Sequence, residues 1–92
     1  MATTYVQNPK VEVAPMKGET ILYNPDNNKF CVLNLTAAFI WQSLGQPRTA
    51  EEVAAALVEK FHSIDLERAQ QDVVHALDEM HTVECIVVKQ TI

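Results

Sequence analysis

Apolar and polar positions follow a two-residue period before Asn34 and a three-to-four-residue period after it, so strands lead and helices follow. Val11-Glu12-Val13 alternates apolar with charged, the pattern of a half-buried strand. Pro15 to Gly18 breaks that run. Thr20-Ile21-Leu22-Tyr23 is rich in the β-branched and aromatic residues that suit a pleated surface. Asn24 to Asn28 is turn chemistry throughout: proline presets φ, while Asn and Asp tolerate the left-handed region. Phe30-Cys31-Val32-Leu33 then resumes the β pattern, and two such runs around so strong a turn predict a hairpin. Upstream, Met1 to Asn8 has no apolar repeat. Residues 1–10 therefore read as a flexible N-terminal segment, and 11–92 as the domain.

The helical half opens at Asn34 or Thr36, either of which can cap a helix through a side-chain oxygen. Ala37, Ile40, Trp41 and Leu44 mark its buried face, and Gly45 is placed to close it in a left-handed conformation. Thr49-Ala50-Glu51-Glu52 has the form of a capping box, so a second helix starts there, with Val53, Leu57 and Phe61 as its apolar stripe. Asp65 caps a third helix in which Leu66, Ala69, Val73, Leu77 and Met80 recur, with acidic Glu67 in the first turn. Cys85-Ile86-Val87-Val88 reads as a final strand or a packed tail. Three strands followed by three helices predict an α+β fold, a winged helix-turn-helix-like plan with a three-stranded antiparallel sheet. That plan does not decide function by itself.

Ninety-two residues make one domain, which buries only roughly 60–65% of its unfolded surface. Binding at a surface is favoured over a deep, dry active site. The net charge of -5 argues against nucleic acid, because seven basic residues are outnumbered by twelve acids. Cys31 and Cys85 lie far apart in apolar stretches and read as small buried hydrophobes. No signal peptide opens the chain and no apolar run approaches a membrane span, so a cytoplasmic protein is the expectation.

Candidate catalysts fare poorly. On one helix His75 and His81 would lie about 240° apart around the axis, and His62 joins neither in a metal-ligand spacing. Glu51 and Glu52 belong to a helix first turn, and Asp78 and Glu79 to a polar helix face. Ser43 and Ser63 lie in no nucleophile elbow, and Gly18 and Gly45 are too far apart for a phosphate loop. No enzyme activity, metal or cofactor is expected.

The positive signal is the third strand. Phe30 to Leu33 is apolar at every position, so neither face is expected to be wet. At a sheet edge such a strand must be covered, by the chain itself or by a visiting peptide that adds a strand. The third helix exposes Glu67, Arg68, Gln70, Gln71, Asp72, His75, Asp78 and Glu79, one arginine among four acids, which suits a groove wall better than a DNA-reading helix. A winged-helix DNA-binding regulator and a dimerising accessory subunit without a peptide ligand are the rival readings.

Three segments in this order, Thr20–Asp26 (TILYNPD), Asn28–Asn34 (NKFCVLN) and Thr36–Trp41 (TAAFIW), resemble the hairpin and first helix of PqqD-like proteins. Pro47 to Val53 with Leu57, and Asp65 to Glu67 with Asp72 to Val74 and Leu77, are similar to that family's second and third helices. The likeness spans roughly residues 11 to 88. It implies a non-catalytic recognition element for ribosomally made precursor peptides, whose leader pairs with the third strand and lies against the third helix. Carried over by position, the strand is Lys29, Phe30, Cys31, Val32 and Leu33, and the helix residues facing the same groove are Gln70, Val74 and Leu77. The implied partners are the precursor's leader peptide and a modifying enzyme such as a radical SAM protein, with no nucleic acid and no membrane, as a monomer or homodimer. One departure is at the end: the family often carries Leu-x-x-x-Gly-Leu after the third helix, and Met80 to Ile86 lacks that glycine.

Overall fold

A computed structural model describes residues 2–91. The expected hairpin forms from β3 (Glu19–Asn24) and β4 (Lys29–Leu33), paired antiparallel with Leu22 opposite Cys31 and Tyr23 opposite Phe30. Its turn works as the residue types require. Asn28 takes a φ of 63°, Asn24 Oδ1 accepts from the Asp26 N–H at 3.0 Å, and Asn27 Oδ1 accepts from the Lys29 N–H at 3.0 Å. β2 (Glu12–Met16) pairs on the other side of β3, turning through Lys17 and a left-handed Gly18. Pro15 therefore lies inside the strand and does not end it. β2 is also exposed along its whole length, not half-buried as its alternation suggested. α1 packs across β3 and β4, and β2 at the far edge stays exposed.

Three helices follow: α1 (Leu35–Ser43), α2 (Ala50–Lys60) and α3 (Leu66–Thr82). All three start where the sequence places a cap. Asn34 Oδ1 accepts from the Ala37 N–H at 2.8 Å, Asp65 Oδ1 accepts from the Arg68 N–H at 2.8 Å, and Thr49 with Glu52 forms both bonds of the capping box. α1 closes differently from expectation. Leu44 and Gly45 donate to the Trp41 and Gln42 carbonyls in tight i to i−3 bonds, so no left-handed glycine is needed. Leu22 and Leu33 of the sheet meet Ile40, Leu44, Val53, Leu57, Val73 and Met80 of the helices in one fully buried core.

The N-terminal segment departs from the loose chain expected for Met1 to Asn8. Ala2–Gln7 is a strand, β1, paired antiparallel with β5 (Ile86–Thr91) in a second, two-stranded sheet. On its other side Tyr5 exchanges two backbone bonds with Arg48 at 2.8 and 3.0 Å, and Gln7 Nε2 donates to the Trp41 carbonyl at 2.7 Å. Thr3-Thr4-Tyr5-Val6 has strand propensity, but its partner lies at the far end of the chain, where no local period can reveal it. Met1 of that expected segment and Ile92 of the expected domain lie outside the described residues.

Glu84 explains how the chain turns from α3 into β5 without the family's glycine. In the Leu-x-x-x-Gly-Leu pattern Met80, Glu84 and Cys85 occupy the Leu, Gly and Leu places, and Glu84 holds a φ of 58°. A side chain there is disfavoured by roughly 1–2 kcal/mol. Glu84→Gly is accordingly expected to raise the unfolding free energy by about 1 kcal/mol in urea titrations, part of the relief being offset by the freedom glycine gives the unfolded chain. An unchanged or lowered midpoint would contradict this.

Candidate functional site

The site begins with an open sheet edge. In the sheet order β2-β3-β4, β4 is flanked by β3 alone among the described strands. Its side chains alternate: Cys31 and Leu33 are 8% and 1% exposed, whereas Phe30 and Val32 are 63% and 53% exposed. An apolar residue at every position therefore does not mean cover on both faces. One face joins the core, and the other leaves Phe30 and Val32 in solvent, Phe30 resting on Tyr23 with ring centroids 4.7 Å apart.

The two edges of this sheet are not alike. β2 contains Pro15, which has no N–H to offer a further strand, and is flanked by Lys10 and Lys17. β4 has no proline, and its one charge is Lys29 at the turn end. The edge that could template a strand is the one facing α3.

Between β4 and α3 run two adjoining hollows that share Val32 and Glu79. The first, about 380 Å³, is bounded by Asn34, Thr36, Ala37 and Ile40 around the start of α1 and by Arg68, Asp72, His75 and Ala76 of α3. The second, also about 380 Å³, is bounded by Phe30, Cys31, Asp78, Thr82 and Val83. Together they form a groove alongside the unpaired strand.

A polar clamp fixes its width at one end. Asn24, 1% exposed, donates through Nδ2 to the carbonyls of Val83 and Glu84 at 3.1 and 3.0 Å. Asn27 Nδ2 donates to the Val83 carbonyl at 3.1 Å. The hairpin turn is thereby tied to the C-terminal end of α3, and β4 cannot drift toward or away from the helix. Sequence reading saw only turn formers here. A run of three asparagines within five residues was the available hint, since a turn needs fewer side-chain amides than that.

The expected strand residues, Lys29 to Leu33, are β4 itself, and Phe30, Cys31 and Val32 line the groove. The expected helix residues do not join them. Gln70 and Val74 border a shallow hollow with Glu67, Gln71 and Asp78, and Leu77 packs toward Tyr5 and Val88 near the second sheet. The groove wall is instead Arg68, Asp72, His75, Ala76 and Glu79. Ala69, Val73 and Met80 form the core stripe of α3, and either flank of that stripe could have met β4. Turns of about 100° per residue put positions 70, 74 and 77 on the opposite flank from 68, 72, 75 and 79.

The charges of the wall are partly tied to one another: Arg68 Nε lies 3.3 Å from Asp72 Oδ1, and His75 Nε2 lies 3.1 Å from Glu79 Oε1. Burial, with Glu79 adding to it, raises the Cys31 thiol pKa, and burial with Cys31 nearby raises that of Cys85 to about 11. Both thiols are free, buried and held neutral, which makes them core residues and poor nucleophiles. His62 and His81 are exposed and His75 pairs with Glu79, so the three histidines do not converge. Among the described residues no group of three His, Cys, Asp or Glu side chains is placed to hold a metal ion.

A family model described as coenzyme PQQ synthesis protein D (PqqD) matches residues 19–86, a span containing β3, β4 and all three helices. No curated protein matches the chain. Two solved structures share its fold. TbiB1 in complex with the TbiA(beta) leader peptide is 20% identical, with a TM-score of 0.74 over 88% of this chain and 93% of that one. Lasso peptide synthetase B1 complexed with the leader peptide is 20% identical, with a TM-score of 0.74 over 90% of this chain and 96% of that one.

The clamp yields a direct test. Asn24→Leu keeps the branching but removes three hydrogen bonds and leaves the Asp26 N–H without its acceptor, while the Val83 and Glu84 carbonyls retain the Asn27 and Asn8 amides, so it is expected to cost about 1–3 kcal/mol by urea unfolding. A loss below about 0.5 kcal/mol, the scale of an ordinary surface change, would show that the amide is not holding the turn to the helix.

Proposed function

The chain belongs to the coenzyme PQQ synthesis protein D (PqqD) family, and we propose that it is a non-catalytic adaptor that binds the leader of a ribosomally made precursor peptide by strand addition and presents it to a modifying enzyme. The observation that carries this reading is the unpaired edge of β4 facing the groove beside α3. A guest strand there gains main-chain hydrogen bonds worth roughly 0.5–1.5 kcal/mol each net. It also covers Phe30 and Val32, whose exposure otherwise wastes apolar surface. That two structures of the same fold were captured with leader peptides supports the assignment of this edge to the same class of guest.

The adaptor works by concentration. Holding a leader beside the modifying enzyme converts a second-order encounter into an effectively intramolecular one. The enzyme, for which a radical SAM protein is the favoured class, supplies the covalent chemistry. The recognition domain is residues 11–92, with β1 docked onto its last strand, and it acts in the cytoplasm, where its substrate is made. No helix among the described residues is long and apolar enough to cross a membrane. The DNA-binding alternative is disfavoured by α3, whose exposed surface carries Glu67, Asp72, Asp78 and Glu79 against Arg68.

Proline at position 32 removes a strand N–H and restricts φ. Val32→Pro, checked for a native circular dichroism spectrum, is expected to lose at least about 100-fold affinity for the leader of a short precursor encoded beside its gene, measured by isothermal titration calorimetry. Unchanged affinity in the folded variant would overturn strand addition.

A further inference from the structure

We infer that the guest this groove selects is a basic one: a strand that sets aliphatic or aromatic side chains on Phe30 and Val32 and lysine or arginine against the α3 wall. The inference rests on the peptide-binding reading and names the substrate chemistry within it.

Side chains of an added strand alternate between the two sheet faces. Those on the outer face lie beside Phe30 and Val32, where cross-strand pairing favours β-branched and aromatic partners. Those on the other face point at α3. Their surroundings combine a small apolar floor, Ala37 and Ala76, with the carboxylates of Asp72 and Glu79 above it. That pairing of features fits a long amphipathic cation: the methylene stem lies on the alanines and the charged head reaches the carboxylates.

The charge balance points the same way. Glu19 at one mouth and Asp78 at the other add two more carboxylates to the groove lining, while Arg68 is the lining's one arginine or lysine. Arg68 and Asp72 lie 3.3 Å apart and largely offset each other, and His75 lies 3.1 Å from Glu79, so the lining keeps an excess of negative charge after its pairs are counted. Asp72 is the less exposed of that pair, with 29% of its side chain accessible against 69% for Arg68, so its field is screened less. Lys29 stands apart at the turn end of β4. The chain's net charge of -5 reinforces attraction of a cationic segment and repulsion of an anionic one.

The test is a selection of short, random-sequence displayed peptides on the full chain, with binders located by amide shifts of the 15N-labelled protein. Peptides that move β4 amides are expected to be enriched in Lys and Arg by about two- to five-fold over the input, the scale of partly exposed ion pairs. Asp72→Lys with Glu79→Lys, both surface changes, is expected to reverse the preference toward Asp and Glu, and the neutral pair Asp72→Asn with Glu79→Gln to abolish it. Raising the salt should weaken the wild-type bias. Binders that move β4 amides without basic enrichment, or an enrichment untouched by the double variants, would overturn the basic guest while leaving strand addition standing. A selection in which no peptide moves β4 amides would overturn peptide recognition together with it.

Discussion

Backbone N–H and C=O groups are obligatory hydrogen-bonding groups, and a strand at the rim of a sheet leaves one row of them unused. In β4 that row borders an apolar strand, and among the described strands none but β3 pairs with β4. Much of the surrounding architecture keeps the row available and aligned. Asn34 starts α1 immediately after Leu33, anchoring the far end of β4 to the helical layer. The Asn24 amide anchors the near end to the exit of α3. Between these two points β4 is held beside α3 with the two hollows between them, which is a groove by construction. The opposite edge of the same sheet is blunted by Pro15, so of its two edges β4 is the one that invites a strand.

The helical core is covered by the inner face of the β2-β3-β4 sheet and by residues of the β1-β5 sheet, and both hollows described for the groove are open to solvent. An open groove of this kind suits the alignment and tethering of an extended peptide proposed above. Selectivity then has two sources of different range. Contacts with Phe30 and Val32 act at van der Waals distance and depend on shape. The carboxylates of α3 act over several ångströms and depend on the sign of the guest's charge.

Local signals in the sequence carried much of the fold. The Asn-rich turn, the three caps at Asn34, Thr49 and Asp65, and the stripe Ala69, Val73, Leu77 and Met80 all depend on neighbours within a few residues and stand in the structure as read, whereas Leu66, the first residue of α3 and expected in that stripe, is 52% exposed. What could not be read depends on partners far away. β1 needs β5 across the length of the chain, and the flank of α3 that lines the groove depends on how the hairpin docks. Val74 was carried over by position from the family resemblance, and it lies on the flank of the stripe away from β4. Gly45 looked like a left-handed cap, but tight bonds from Leu44 and Gly45 close α1 instead. Glu84 occupies the left-handed position that the family gives to glycine, and composition alone cannot announce a residue in that conformation. The edge strand was legible, and the flank of α3 that faces it was not.

Amide hydrogen exchange along β4 tests the central claim most directly. The amides of Lys29 to Leu33 that do not pair with β3 should exchange rapidly in the free protein and slow by at least about 100-fold when the leader is bound, because added backbone bonds must open before exchange. Protection of those amides already present without peptide, or exchange unaffected by a bound leader, would contradict an edge kept open for a guest strand.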